Sequence, residues 1–193
     1  MTTLKPESAR RAPSYGEGRA ALLAAVVRVV ADQGLRKLTY RAVAKEAGVA
    51  HGLVAHHFGT RDVLLEAALQ FSLENSVTSI STRPGSGDLE AVFAGLVAMV
   101  ENNPADQAFQ YELILESRRR PELRPYVEAI YQAYIDGLQL ELECAGINPD
   151  PALSHLIYAA ADGLVFHQIT IGRPELTERS LKHLRALLQQ NKS

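Results

Sequence analysis

Three residues in a fixed rhythm, Ala44, Gly48 and Val54, constrain this chain more than anything else in it. A small residue is needed where two helices cross closely. Four positions on, a glycine supplies the positive φ of a tight turn. Six further on, a branched apolar residue locks the second helix onto the first. The stretch from Thr39 to Phe58 therefore reads as a helix-turn-helix, a device that holds one short helix in the DNA major groove. The flanks agree. Leu22, Leu23, Val26, Val27 and Val30 recur at helical spacing and predict a first helix with one apolar stripe, ended by Gly34. Thr39 is a good N-cap for the second helix, because its hydroxyl can accept an otherwise unpaired backbone N–H. After Phe58-Gly59, Thr60 can cap a fourth helix whose first turn carries Asp62, favourable at the positive end of the helix dipole.

Charge points to the same end of the chain. Residues 1–61 hold ten Lys and Arg against four acids, a charge of +6; the total of −2 leaves −8 for residues 62–193. A basic N-terminal part releases counterions from phosphate, and an acidic remainder is repelled by it. A solvated surface of uneven charge is the bland alternative. The single cysteine, Cys144, excludes an intrachain disulfide framework and suits a reducing compartment. The longest apolar run, Ala20 to Val27, is stopped by Arg28 and is too short to span a bilayer. No small-residue cleavage site follows it before Asp32-Gln33, so the expectation is a cytoplasmic protein without membrane partners.

From Thr60 onward the apolar spacing is three and four, never two, which predicts helices throughout. Leu89, Val92, Phe93, Leu96, Val97 and Val100 form one unbroken stripe behind a capping Asp88. Residues 81–87 and 146–151 read as loops, and Asn102-Asn103-Pro104, Arg120-Pro121 and Gly172-Arg173-Pro174 as breaks. A helix is expected from Glu122 to about Cys144. The fold class is all-α with about nine helices. The expected organisation is a flexible basic arm over 1–16, a helix-turn-helix domain over 17–62 and a helical effector-binding and dimerisation domain over 63–193.

Over roughly residues 17–68 the chain resembles the TetR family of bacterial transcriptional regulators. The residues that carry the resemblance are Thr39-Tyr40-Arg41, Ala47-Gly48-Val49, His57-Phe58 and Arg61-Asp62. The wording Gly52-Leu53-Val54-Ala55-His56-His57-Phe58 is similar to the subgroup that includes the choline-responsive repressor of betaine synthesis, and Asp162-Gly163-Leu164 extends that likeness weakly into the second half. The resemblance implies a homodimeric regulator, most simply a repressor. It implies dimerisation through the last two helices, about 151–171 and 177–189, and a cavity that binds a small effector of unspecified identity. There are departures. Ala50 stands where the family usually has Ser or Thr, Leu53 where Thr or Ser is common, and Ala55 where Tyr is common.

The candidate DNA-binding residues are Thr39, Tyr40, Arg41, Lys45, His51, Gly52, Leu53, His56, His57 and Arg61. Arg41 lies on the outer face of the second helix and reads as a base or phosphate contact, or as a solvated charge. His51 opens the recognition helix and can donate to a guanine edge, while Leu53 can touch a thymine methyl. Gly52 lets the backbone approach the bases. His56 and His57 read as phosphate partners or as rings packed on neighbouring helices. Tyr40, Lys37, Lys45 and Arg61 read as phosphate contacts, which position without specifying. Lys5, Arg10 and Arg11 could reach the minor groove or remain a free tail. The spacing of His51, His56 and His57 does not converge on one face, so no metal and no cofactor is expected.

Candidate effector-pocket residues are Phe93, Phe109, Glu112, Tyr126, Tyr131, Tyr134, Phe166 and His167, each also readable as ordinary core or surface. Glu112 or Glu116, if turned inward, would favour a cationic effector, and the aromatic set suits cation–π contact. Two rival classes stand beside the regulator reading. One is a small-molecule-binding helical protein with weakened DNA readout, motivated by the missing polar contacts. The other is an enzyme built on Glu112, Glu116, His155 and His167, for which no nucleophile or metal spacing offers support. An activator would share every feature of a repressor.

Overall fold

The valine-rich stripe folds as α1 (Tyr15–Gln33), and it is buried almost all round: Leu22, Leu23, Ala25, Val26, Val27, Val29 and Val30 are all in the core. A helix apolar on nearly every side belongs at the centre of a bundle. The computed structural model describes residues 15–80, 83–148 and 150–190. The eight helices after α1 are α2 (Tyr40–Ala47), α3 (His51–Phe58), α4 (Arg61–Ile80), α5 (Leu89–Asn102), α6 (Pro104–Ser117), α7 (Arg124–Cys144), α8 (Pro151–Ile171) and α9 (Pro174–Gln189). Two 3-10 turns, Leu35–Lys37 and Pro121–Leu123, complete the order, and there is no strand among the described residues.

Helix ends follow the local chemistry. Thr39 Oγ1 accepts the Ala42 N–H at 3.1 Å and caps α2. Gly48 ends α2 at φ 68°, and the Val49 N–H reaches the Ala44 carbonyl at 2.9 Å, the six-to-one bond of a Schellman turn. Asp88 and Asp150 cap α5 and α8. The helix expected from Glu122 instead opens as a 3-10 turn, and α7 begins at Arg124, with Pro125 in its first turn where a missing N–H costs nothing. The last helix starts at Pro174 rather than near residue 177 for the same reason. At the other end, α1 already begins at Tyr15, inside the stretch read as a flexible arm; Lys5, Arg10 and Arg11 lie outside the described residues.

Among the described residues the apolar core falls into three clusters, and α4 runs from the first to the third. The first packs α1, α2 and α3 against the N-terminal part of α4 and against Phe109, Leu113, Leu123 and Ile130. It runs without a break across position 62/63: α1 packs on α4 and α6, and α3 rests on α4. The second packs Leu89, Phe93, Leu142, Ile157, Leu181 and Leu188 from α5, α7, α8 and α9. The third, smaller cluster holds Met99, Val100 and Val165 with Ile80 packed against it, at the far end of α4, which at 20 residues is roughly 30 Å long. A Cβ at Gly95 would collide with the Ile80 carbonyl, so only glycine lets α5 cross this closely over the end of α4. Among the described residues no helix is long and apolar enough to cross a membrane.

Candidate functional site

The surface presented by α2 and α3 is built from what the first core leaves outside. Val43, Ala44, Val54 and Phe58 are buried, which turns the opposite faces outward. Arg41, Lys45, His51, Gly52, Leu53 and His56 are all exposed on that side, together with Val49 at the turn. Leu53 is 38% exposed although apolar, and nothing in the described residues covers it. A Cβ built on Gly52 would meet no atom within 4 Å, so the fold does not require glycine there. Ala50 occupies the N-cap position of α3 and offers no side-chain hydrogen bond. The one acid of α2, Glu46, is held by Arg28 of α1 at 2.7 Å, which compensates its charge at the edge of this surface.

Several residues expected at phosphates also have partners within the fold. The Tyr40 hydroxyl donates to the Gly59 carbonyl at 2.7 Å and closes the end of α3 onto the start of α2. Arg61 donates from Nε to the Leu38 carbonyl at 3.2 Å and from Nη2 to the Leu35 carbonyl at 3.0 Å. These bonds fix the turn between α1 and α2 onto the start of α4. Thr39 serves its cap, and its side chain is otherwise exposed. His57 is half-buried, with its ring centroid 6.1 Å from that of Phe58, and Arg19 lies over the Phe58 ring at 5.3 Å. Arg36, in the 3-10 turn after α1, reaches Glu116 of α6 at 3.4 Å, and Arg119 holds the same carboxylate at 2.8 Å. Burial pushes the Glu116 carboxyl up, but the hydrogen bonds and charges of Arg119 and Arg36 outweigh it and leave it below its ordinary value.

Between α4, α5, α7 and α8 lies a cavity of about 150 Å³. Its walls are mostly apolar and include Val77 and Ile80 from the end of α4, Phe93, Leu96 and Met99 from α5, and Ile157, Ala161 and Val165 from α8. Polar groups converge on it from three sides. Tyr134 and Gln107 stand on one side in a buried network: the Tyr134 hydroxyl donates to Gln110 Oε1 at 2.9 Å, and Gln107 Nε2 donates to Ser76 Oγ at 2.8 Å. Glu141 stands on a second, its two carboxylate oxygens accepting the N–H groups of Gly85 and Gly87 at 2.7 and 2.9 Å. Asp162 and Tyr158 stand on the third. The Tyr111 hydroxyl donates to Asp162 Oδ1 at 2.8 Å from behind, and the Tyr111 ring meets Phe166 edge-on at 5.0 Å. Burial pushes Asp162 up, and the hydroxyls of Tyr111 and Tyr158 pull it only part of the way back.

Of the expected pocket residues, Phe93 and Tyr134 are in these walls. Phe109 is fully buried in the first core, and Tyr126 packs at its edge. Tyr131 stands behind the cavity, edge-on to Tyr158 at 5.6 Å. Glu112 lies beside Gly34, at the junction of α6 with α1. Phe166 and His167 are exposed on the outer face of α8, and His167 borders a shallow groove with Ile171, Arg173 and Leu176. Asp162, Tyr158 and Glu141 went unread as pocket residues. Tyr158, Ala161, Asp162 and Val165 share an i, i+3, i+4, i+7 stripe, and a carboxylate inside such a stripe is the signal that marks them. The apolar residues Leu156 (66% exposed) and Ile171 (60%) also lie uncovered along α8.

Comparison with known proteins places this architecture. The family described as "Bacterial regulatory proteins, tetR family" matches residues 22–68. The family described as "Tetracyclin repressor-like, C-terminal domain" matches residues 84–190. The HTH-type transcriptional regulator BetI of Burkholderia mallei is 35% identical over 85 residues, which is 44% of this chain and 43% of that protein, so the chain matches less than half the length of that relative. A TetR-family member from Streptomyces coelicolor A3 is 28% identical, with a TM-score of 0.68 over 87% of this chain and 98% of the other. The multidrug binding protein EbrR, solved as a complex with proflavin, is 28% identical, with a TM-score of 0.60 over 89% of this chain and 99% of the other.

Proposed function

The chain belongs to the TetR family of bacterial transcriptional regulators, which bind DNA and are not enzymes, and on that footing we propose that it is a homodimeric repressor released from a palindromic operator by a small molecule. The observation that carries the reading is α4: one continuous helix is pinned to the recognition module by Arg61 and ends in the cavity wall at Val77 and Ile80. Arg41, Lys45, His51, Leu53 and His56 make the DNA contacts, with Gly52 admitting the backbone to the bases. Tyr40 and Arg61 act as braces of that surface. Residues 17–62 form the reading unit and 63–193 the effector-binding and dimerisation unit, working in the cytoplasm.

Dimerisation uses α8 and α9, where Leu156 and Ile171 give an apolar face a reason to be covered. A single recognition helix reads only a few base pairs, so symmetry is what supplies useful specificity. Effector binding shifts the population toward a position of α4 that spaces the two recognition helices wrongly for DNA. EbrR, solved with a bound small molecule, supports the use of the helical half as a binding chamber.

The test is selection of bound duplexes from a random pool at two salt concentrations. The reading expects a palindrome and a steep fall of affinity with salt, because released counterions drive the contact with phosphate. Weak binding with no enriched sequence would overturn it. That result would favour the second reading, a small-molecule-binding protein with weakened DNA readout, which the uncapped start of α3 at Ala50 motivates.

A further inference from the structure

We propose that the cavity takes a small organic monocation, an ammonium group on an apolar body of about benzylamine size, with the charge on Asp162 and the body against Tyr158, Tyr134 and Phe93. This rests on the reading of the cavity as the effector site and names the chemical class that the site selects. Two carboxylates stand in its walls, and no lysine, arginine or histidine is among the wall residues described. The two carboxylates are not equivalent. Glu141 has both oxygens on backbone N–H groups of the loop before α5, so its charge is spent on holding that loop. Among the described residues Asp162 has only phenol hydroxyls as partners, at Tyr111 and Tyr158.

A half-buried carboxylate with no cation among its described partners carries a desolvation cost, and a site that keeps one is stabilised by a ligand that supplies the missing charge. Tyr158, whose hydroxyl is one of those partners, stacks on Tyr134 with ring centroids 6.3 Å apart, and both line the cavity as an aromatic wall for the apolar body. An anion would meet like charge in a low-dielectric pocket, and a neutral body would leave Asp162 as it is. Volume sets the size, since an apolar cavity of roughly 150 Å³ accommodates about one benzene ring. The exposed positions Val77, Pro84, Gly137 and Leu140 lie on the side of α4 and α7 where the cavity meets solvent.

Titration calorimetry of the full chain with three soluble probes of one shape decides the matter: benzylammonium, benzyl alcohol and benzoate at pH 7. The expected result is benzylammonium binding at least tenfold more tightly than benzyl alcohol, with benzoate undetectable. Asp162→Asn should reduce that preference to twofold or less while benzyl alcohol binds as before. Gly137→Leu should weaken benzylammonium at least fivefold, since a Cβ there meets no protein atom and the new side chain fills the entrance. Equal binding of the neutral or anionic probe, a preference that survives Asp162→Asn, indifference to Gly137→Leu, or binding of none of the three overturns the inference. Adding the selected duplex separates it from the effector reading. Benzylammonium that binds without changing duplex affinity upholds the cation site and refutes its role as a switch. Release of the duplex by benzyl alcohol or benzoate alone upholds the switch and refutes the cation class.

Discussion

Replacing Gly52 by alanine should move stability and DNA affinity in opposite directions. Gly52 lies in the first turn of α3, and a Cβ added there meets nothing within 4 Å of protein. Inside the protein, then, the substitution only removes the entropy cost of ordering a glycine in a helix, about 0.5 kcal/mol. For a chain of this length that raises Tm by roughly 1–2 °C. Glycine at a helical position with free space around it calls for a reason outside the fold, and the adjoining exposed residues His51, Leu53 and His56 supply one. If bases approach the Gly52 backbone, an added methyl overpacks that contact at a cost of about 1–3 kcal/mol, roughly a 5- to 150-fold loss of affinity. Thermal unfolding by circular dichroism and fluorescence anisotropy with the selected duplex read the two effects separately. A higher Tm with unchanged affinity would show that DNA does not approach Gly52. A lower Tm would show that the space around Gly52 is not open.

Other substitutions test other parts of the account. Ala50→Ser restores an N-cap acceptor to α3 at an extended backbone position; the expected gain is about 1 kcal/mol, or roughly 2–4 °C in Tm, and no gain in a thermal melt would refute it. Asp162→Asn should raise the urea midpoint at pH 7. Because the folded carboxyl titrates above its ordinary 3.8, the penalty on the wild type is felt at neutral pH and fades as pH falls through the raised value toward 3.8. The advantage of the variant must shrink over that window, and an advantage that grew on acidification would contradict the burial of the charge. Leu156→Arg should weaken self-association at least tenfold in sedimentation equilibrium while leaving helix content unchanged, since Leu156 is exposed within the chain. A wild-type dimer constant would remove α8 from the interface.

The features legible in the sequence are those set by neighbours along the chain. Thr39, Gly48, Asp88 and the break at Asn103-Pro104 act within one or two helical turns, so their roles follow from residue type and spacing. The surface of α3 was legible because burying Val54 and Phe58 fixes what must face outward. What escaped was long-range. Tyr40 and Arg61 have the chemistry of phosphate contacts, but their donors meet carbonyls 19 to 26 residues away along the chain. Phe109 and Phe93 share the same periodicity, yet one lies in the first core and the other lines the cavity, because a stripe says which face is buried and not what it faces. Asp162 was legible only as part of a family likeness, since its place in the cavity wall depends on which helices pack around it.

The central claim is that the outward face of α3 reads base sequence. It is tested most directly by titrating the selected palindrome, and variants of it altered symmetrically at single positions, with the wild type and with His51→Ala at one salt concentration. The account predicts that His51→Ala loses about 1–3 kcal/mol on the palindrome and relaxes discrimination at one symmetric pair of base positions while keeping its salt slope. An unchanged base preference, or a uniform loss on every duplex together with a shallower salt slope, would contradict it.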